Sequence, residues 1–538
     1  MNQRKYLVPI AIILLLLVMG VYKFTTSVGK NNIDLVGEKA VGLNSKNKIP
    51  LKNMLGINGY EWNFLQDPAR PADGSKIFGP KMALIKNFTQ FRHYMDWEKI
   101  EKKKGEYTFN PVFDGGWNYD LMYQTAKDDS VLMLADLKTC PPWLVSTYPA
   151  NLKNNENVPA PYGLNRSEPA SYTLQAKAAF QLAARYGSNK NISPTLVKIY
   201  SKPRWNADPP NQVKIGLNLL KYIECDNERD KWWRGPQAQQ SAEEYAANMS
   251  AFYDGDQGKL GKDVGVKAAD SKIQVVIGGL ANPHVQFVKD MITWCKKHRG
   301  YKKDGSINLC FDVINYHKYA NDGIGTSNGT VGLAPELAGI GKIANDFVKL
   351  SNTLPQHPEV WITENGYDIN QGSIQRAIPI GSKSALLTQA DWIIRSCLLY
   401  MRHGINRLFF YQLFDDSPNS SGTYGTSGLI DENLKRRPAA DYMLQLKTLM
   451  GNYNYQGTIN ADPLVDKYVL GQKTIYALMI PDQKGRTGIY TLNLGNSKLA
   501  AIYSFKVGAD SMTKRLAKTI KGKLAAEVTE TPIFVEGL

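Results

Sequence analysis

Cysteine is scarce in this chain. There are five, Cys140, Cys225, Cys295, Cys310 and Cys397, among 538 residues. None stands in a C-x-x-C pair, and several fall inside apolar runs. They read as small buried hydrophobes, so no disulfide framework and no zinc site is expected. A Gly-rich phosphate loop is also lacking after the first strand-like segment, which argues against a doubly wound nucleotide-binding sheet. There is no arginine-rich arm and no zinc-knuckle spacing. The lysines behind the net charge of +16 are scattered, and Lys102-Lys103-Lys104 is the only run of three. No nucleic-acid partner is therefore expected. The excess charge reads as a solvated surface, with attraction to an anionic glycan as a minor reading. Asp254-Gly255-Asp256 lacks the further spaced acids of a calcium loop and reads as a turn, so no metal and no cofactor are expected.

What is present begins with an export signature. Arg4 and Lys5 precede an apolar run from Tyr6 to Tyr22. The run is near the lower limit for spanning a bilayer and near the upper limit for a signal segment. No lipid-anchor cysteine follows it, and no small-x-small cleavage site stands out. Residues 1–23 are expected to be a signal peptide or an N-terminal anchor, with residues 6–22 as the membrane tether. The basic flank favours a translocated body. The expected location is periplasmic, cell-surface or extracellular. Residues 24–50, polar and aperiodic, read as a linker.

From Leu55 onward, short apolar runs alternate with amphipathic stretches. The strand candidates are Leu55–Tyr60, Leu84–Arg92, Val131–Leu137, Leu217–Glu224, Ile273–Leu280, Phe311–Tyr316, Glu359–Thr363 and Arg407–Gln412. Helical patterns lie between most of them, as in Tyr172–Tyr186, Ala242–Tyr253 and Lys383–Met401. Such alternation predicts an α/β fold, a (β/α)8 TIM barrel over 51–453. After Asn454 the texture changes to short strands, such as Lys473–Ile480 and Thr487–Leu494, separated by turn residues. Residues 454–538 are expected to form a β-sandwich. Within them, the lysine-rich stretch Lys514–Ala525 reads as a solvated face or loop.

Two segments carry chemistry. In Tyr222-Ile-Glu-Cys-Asp-Asn-Glu228 an apolar strand runs into Asn227-Glu228. In Glu359-Val-Trp-Ile-Thr-Glu364 another ends in a glutamate, three strands along. Barrel active sites lie at the C-terminal ends of the strands, so both carboxyls would stand at the mouth and face each other. Retaining glycosidases need such a pair about 5–5.5 Å apart, one acid protonated and one ionised. His317 and Tyr319 alternate to one face at the end of the strand before Glu364. A tyrosine hydroxyl there would hold a carboxylate and lower its pKa. Arg92, ending an early strand, would keep a carboxylate charged and oriented. Asn227 would offer a hydrogen bond to a sugar hydroxyl.

With these motifs in order, the chain resembles clan A of the glycoside hydrolases, and looks closest to families 39, 30 and 5. The resemblance covers roughly residues 55–450 and rests on Asn227-Glu228, on Ile362-Thr-Glu-Asn-Gly366, on His317 and Tyr319 and on Arg92. Gly428-Leu-Ile-Asp431 and Lys435–Leu446 look like the clan's closing loop and last helix. The resemblance implies a retaining hydrolase of β-linked poly- or oligosaccharides, with Glu228 as acid/base and Glu364 as nucleophile. There are two departures. Arg229 stands where the clan's acid/base motif has proline. The strand-eight tryptophan is missing, and Tyr411 is the best substitute.

Bland readings stand beside these. His317 and Arg92 would otherwise be satisfied core residues. Trp232 and Trp233 follow Glu228, one to stack on a sugar and at least one to pack. Trp143 divides evenly between core and sugar subsite, and Trp361 reads as core. Glu228 is expected to lack a close cation, and Arg229 to point away from it. A transglycosylase on the same scaffold and a non-catalytic glycan-binding barrel are the alternatives. The retention of both glutamates argues against the latter. A carbohydrate is the expected partner in every case. The sequence leaves the sugar, the linkage and the oligomeric state open.

Overall fold

The computed structural model describes residues 48–203, 208–323 and 329–538. The expected export segment, and the linker up to residue 47, lie outside these residues. Among the described residues no helix is long and apolar enough to cross a membrane.

Eight parallel strands close into a barrel in sequence order. They are β1 (Gly56–Gly59), β2 (Gln90–Asp96), β3 (Leu132–Lys138), β4 (Tyr222–Cys225), β5 (Gln274–Ile277), β6 (Val313–His317), β7 (Glu359–Glu364) and β8 (Arg407–Phe410). Helices follow them in turn: Gly79–Ile85, Tyr119–Asp128, Thr173–Tyr186, Ala242–Asp254, Val285–His298, Ile340–Asn352, Ala385–Arg402 and Pro438–Met450. The Ala242–Asp254 helix shows why these segments begin and end where they do. Ser241 and Glu244 form a reciprocal capping box, and Gly255 terminates the helix with φ of +65°. The five cysteines are buried and unbridged. The sulfurs of Cys295 and Cys310 touch at 3.4 Å.

Period-two alternation sorts the barrel interior into layers. At the bottom, Leu134, Val276, Val313, Trp361 and Phe409 form an apolar cluster of their own. Two residues further along the same strands the interior turns polar. Asp136 follows Leu134, Asn315 follows Val313 and Thr363 follows Trp361, all fully buried, and Asn58, Arg92 and Glu224 join them from β1, β2 and β4. The functional residues stand on this polar floor.

Two strand expectations shift. Leu84 belongs to the helix Gly79–Ile85, and β2 runs on to Asp96, so Tyr94 stands above Arg92 on the inner face. Tyr222, not Leu217, opens β4. In both places a run of apolar residues on a helix or in a connecting segment merges with the strand it feeds, and apolar content alone does not separate them.

The C-terminal strands are β9 (Asn454–Ala461), β10 (Leu464–Leu470), β11 (Lys473–Met479), β12 (Gly488–Asn493), β13 (Leu499–Ser504), β14 (Thr513–Lys518), β15 (Lys523–Val528) and β16 (Ile533–Gly537). Six form an antiparallel sheet in the order β14-β13-β16-β11-β10-β9, and β12 pairs with β15. Val465, Leu478, Ile502 and Val535 of the larger sheet pack against Leu492, Leu524 and Val528 of the smaller. The larger sheet's other face, with Tyr468, Ile475, Met479 and Phe534, joins the barrel core. Arg402 and Asp466 form a buried ion pair across that junction at 2.6 Å. The lysine-rich stretch is largely strand, β14 and the start of β15, with β14 almost wholly exposed. The fold is thus a TIM barrel with a C-terminal β-sandwich.

Candidate active site

The site is a cleft of about 750 Å³ at the C-terminal mouth of the barrel, where Glu228 and Glu364 both line it. One oxygen of each carboxylate and a ring nitrogen of His317 lie within 4.8 Å of one another.

Glu364 ends β7 next to inward-facing Thr363, although successive strand residues normally face opposite ways. A register shift between β6 and β7 resolves this: Tyr316 pairs with Ile362, but His317 pairs with Glu364. The irregularity turns both Thr363 and Glu364 inward. Glu364 Oε1 accepts from the Tyr94 hydroxyl at 2.6 Å and from Arg92 Nη1 at 3.0 Å. Its Oε2 accepts from the Tyr319 hydroxyl at 3.0 Å. Burial pushes this carboxyl up. The charges of His317 and Arg92 and the two tyrosine hydroxyls outweigh that and hold it below the ordinary value of 4.5.

Arg92 anchors the floor. Its guanidinium donates to both oxygens of Glu224, at 2.7 and 2.9 Å, to Asp136 at 3.0 Å and to Asn227 Oδ1 at 2.9 Å. Three acids around one cation cannot all stay ionised in a dry interior. Burial raises Asp136 well above the carboxylate range despite the pull of Arg92, with Glu224 adding to the rise. Arg92 thus ties Asp136, Glu224 and Glu364 to one guanidinium. The Asn227 contact turns that residue's amide nitrogen away from the guanidinium.

Glu228 occupies a different setting, a tight turn after β4. Asp226 and Glu228 both adopt left-handed backbone, with φ of +67° and +53°. Such conformations cost about 1–3 kcal/mol each and persist where surroundings enforce them. Here Asp226 Oδ1 accepts from the backbone of Asn227 at 2.8 Å and from Arg229 Nη2 at 2.6 Å. Arg229 Nη1 donates to the carbonyls of Glu156, Asn157 and Ala238. Arg229 thus points away from Glu228 and locks the turn.

The expectation that Glu228 has no close cation does not hold. His317 Nδ1 lies 2.8 Å from Glu228 Oε1 and 3.5 Å from Glu364 Oε2. Its Nε2 meets Thr363 Oγ1 at 3.0 Å, and Asn315 Nδ2 donates to that same hydroxyl at 2.7 Å. Burial pulls the imidazole's pKa down, but Glu364 and Glu228 more than offset it, so the ring holds its proton above the ordinary 6.5. Gly279 makes room for the ring: a Cβ there would sit 2.0 Å from Nε2.

Of the other expected residues, Tyr411 and Trp232 line the cleft, as does Trp233. Trp143 does not. Its ring packs edge-on against Trp97, and its indole N–H donates to the Glu101 carbonyl at 2.9 Å. The helical turn Pro142–Val145 carries it away from the mouth and into packing. Trp361 is fully buried in the bottom layer. Sequence reasoning passed over Asn58, Tyr94, Asp136, Glu224 and Thr363. A signal for Glu224 was present, because an acid inside the apolar run Tyr222–Cys225 is costly to bury without a partner.

No known family profile matches the chain, and no curated protein matches it. Solved structures do. A family 39 glycoside hydrolase from the gut symbiont Bacteroides cellulosilyticus WH2 superposes with a TM-score of 0.61 at 17% identity, covering 91% of this chain and 81% of that one. AbfB, a family 51 α-L-arabinofuranosidase from Bifidobacterium longum, gives 0.53 at 12% identity, covering 91% and 96%. A glucosidase from Croceicoccus marinus gives 0.51 at 10% identity, again covering 91% and 96%. At these identities the likeness is one of fold. The chain shares the fold of these enzymes, the one that the resemblance to clan A implied.

Proposed function

We propose that the chain is a retaining glycosidase acting on β-linked bonds of a poly- or oligosaccharide, with Glu364 as nucleophile and Glu228 as acid/base. One observation carries the reading: carboxylate oxygens of the two glutamates lie within 4.8 Å across the barrel mouth, both within reach of one nitrogen of His317. Double displacement needs carboxyls about 5–5.5 Å apart, whereas inversion needs about 6.5–9.5 Å to admit a water.

In the first step Glu364 attacks the anomeric carbon while the bond to the leaving oxygen breaks. Glu228 gives that oxygen its proton. In the second, Glu228 takes a proton from water, the hydroxide oxygen bonds the anomeric carbon and Glu364 leaves. The environments suit these roles. Glu364 is held ionised by Arg92 and two hydroxyls. Glu228 is half-buried on a rigid turn and shares a hydrogen bond with a histidine that can carry the proton. Tyr411, Trp232 and Asn227 would contact the sugar.

The test is the stereochemistry of the first-formed product, followed by proton NMR while a polysaccharide or aryl β-glycoside is cleaved. Release of the β anomer supports the reading. Release of the α anomer rejects it, and an added acceptor sugar separates hydrolysis from transglycosylation.

A further inference from the structure

The cleft wall next to Glu228 carries a cation that the proposed chemistry does not use. Lys231 lines the cleft three residues after Glu228 and is only 4% exposed. Its ammonium meets one acid, Glu156 Oε2, at a distant 3.6 Å. That carboxylate is already engaged by Arg234 Nε at 3.0 Å. The neighbouring cation, Arg229, is matched by Asp226 at 2.6 Å. Asp230 is turned to the backbone N–H groups of Ala281 and Asn282, at 2.9 and 2.8 Å, so it does not serve the lysine. Around this turn Arg229 and Arg234 take the close contacts of Asp226 and Glu156, and Lys231, buried and lining the cleft, keeps Glu156 at 3.6 Å as its one ion pair among the described residues. A buried ammonium without a close counter-ion is costly. Burial, reinforced by Arg229, duly pulls Lys231 below its ordinary value, and the nearby acids only partly offset this. An anion entering here would replace the missing partner. Trp232 and Trp233 stand at the same rim, 41% and 48% exposed, where a sugar ring could stack. The whole chain is +16, a field that draws polyanions.

We propose that the sugar bound on the Glu228 side of the cleft carries an anionic group, a carboxylate or sulfate ester, that pairs with Lys231. The substrate is then an acidic glycan. This rests on the glycosidase reading of the same cleft.

The test uses acidic polysaccharides, each paired with its own neutralised form, carboxyl-reduced or desulfated. Wild-type kcat/KM should be higher on the acidic member by about tenfold, the worth of one hydrogen-bonded charge. The margin should shrink as salt rises to about 0.5 M. Lys231→Gln should bring the acidic-to-neutral ratio close to one, and Lys231→Arg should keep it above one. The carboxyl-reduced and desulfated arms tell the two anions apart. Binding of the same pairs to Glu364→Gln in native affinity gels gives a readout that needs no turnover. Preference for the acidic member, lost in Glu364→Gln/Lys231→Gln, supports the subsite even if no glycan is cleaved, in which case the glycosidase reading alone fails. A wild-type ratio of one or less, or a preference that survives Lys231→Gln, overturns the proposal.

Discussion

The end of β7 and the turn after β4 each present a glutamate to one cleft, and they treat it in opposite ways. Glu364 is 7% exposed and receives hydrogen bonds from Arg92, Tyr94 and Tyr319. It is built into the barrel wall. Glu228 has a side chain 19% exposed, a left-handed backbone and one ring nitrogen as its close partner. It is mounted on a turn that Asp226 and Arg229 hold rigid. The difference teaches that surroundings set one residue type to different uses: those of Glu364 hold its carboxyl below the ordinary carboxylate value, as the proposed nucleophile requires.

The comparison breaks most completely at Glu364. Glu364→Gln should reduce kcat on any glycoside the enzyme cleaves by on the order of 10^5-fold, with the variant still folded by circular dichroism. Next comes the floor beneath it. Arg92→Leu leaves Glu224 and Glu364 buried without their cation, and should lower the unfolding free energy by about 3–5 kcal/mol. Chemical denaturation measures this.

A histidine remote from the mouth separates stability from chemistry. Burial, with Arg402 beside it, depresses His403 from 6.5 to about 3, and its Nδ1 pairs with Asn345 Oδ1 at 2.9 Å. The unfolded chain takes up that proton first as pH falls. Stability contributed by the neutral ring is therefore complete above pH 6.5 and is lost progressively towards pH 3, a change on the order of 5 kcal/mol. His403→Gln should flatten the fall in melting temperature across that window and leave the pH–rate profile in place.

His317 should do the reverse. Its raised pKa means the Glu228–His317 pair keeps a proton above pH 6.5, so the alkaline limb of kcat/KM should fall above that value. His317→Asn should move the limb to lower pH by about one unit or more, as read from a pH series on an aryl glycoside.

Much of this was legible in the sequence, because a strand-end position and period-two alternation together aim a side chain at the barrel mouth. Glu228 and Glu364 followed from two apolar strands that each run into an acid. His317 and Tyr319 followed from their spacing. The floor was harder to see. Glu224 and Asp136 look like stray acids in apolar strands until Arg92 is seen to bind both. Tyr94 was lost because the strand candidate stopped at Arg92, one pleat short. Thr363 and Glu364 face the same way only because β6 and β7 slip register, which no alternation rule foretells. Trp143 divided evenly between core and subsite because the two prolines before it mark a turn without saying which way its ring points.

The central claim is the division of labour between the two glutamates, and azide tests it directly. Azide is small enough to enter the space left by a glutamate cut back to alanine. With an activated aryl β-glycoside, Glu228→Ala should still form the glycosyl-enzyme, since a good leaving group needs no acid, and azide should then release a β-glycosyl azide. Glu364→Ala should be inactive alone, and azide should yield the α anomer. Reversed anomers would swap the roles. Full activity in either variant without azide would contradict the account.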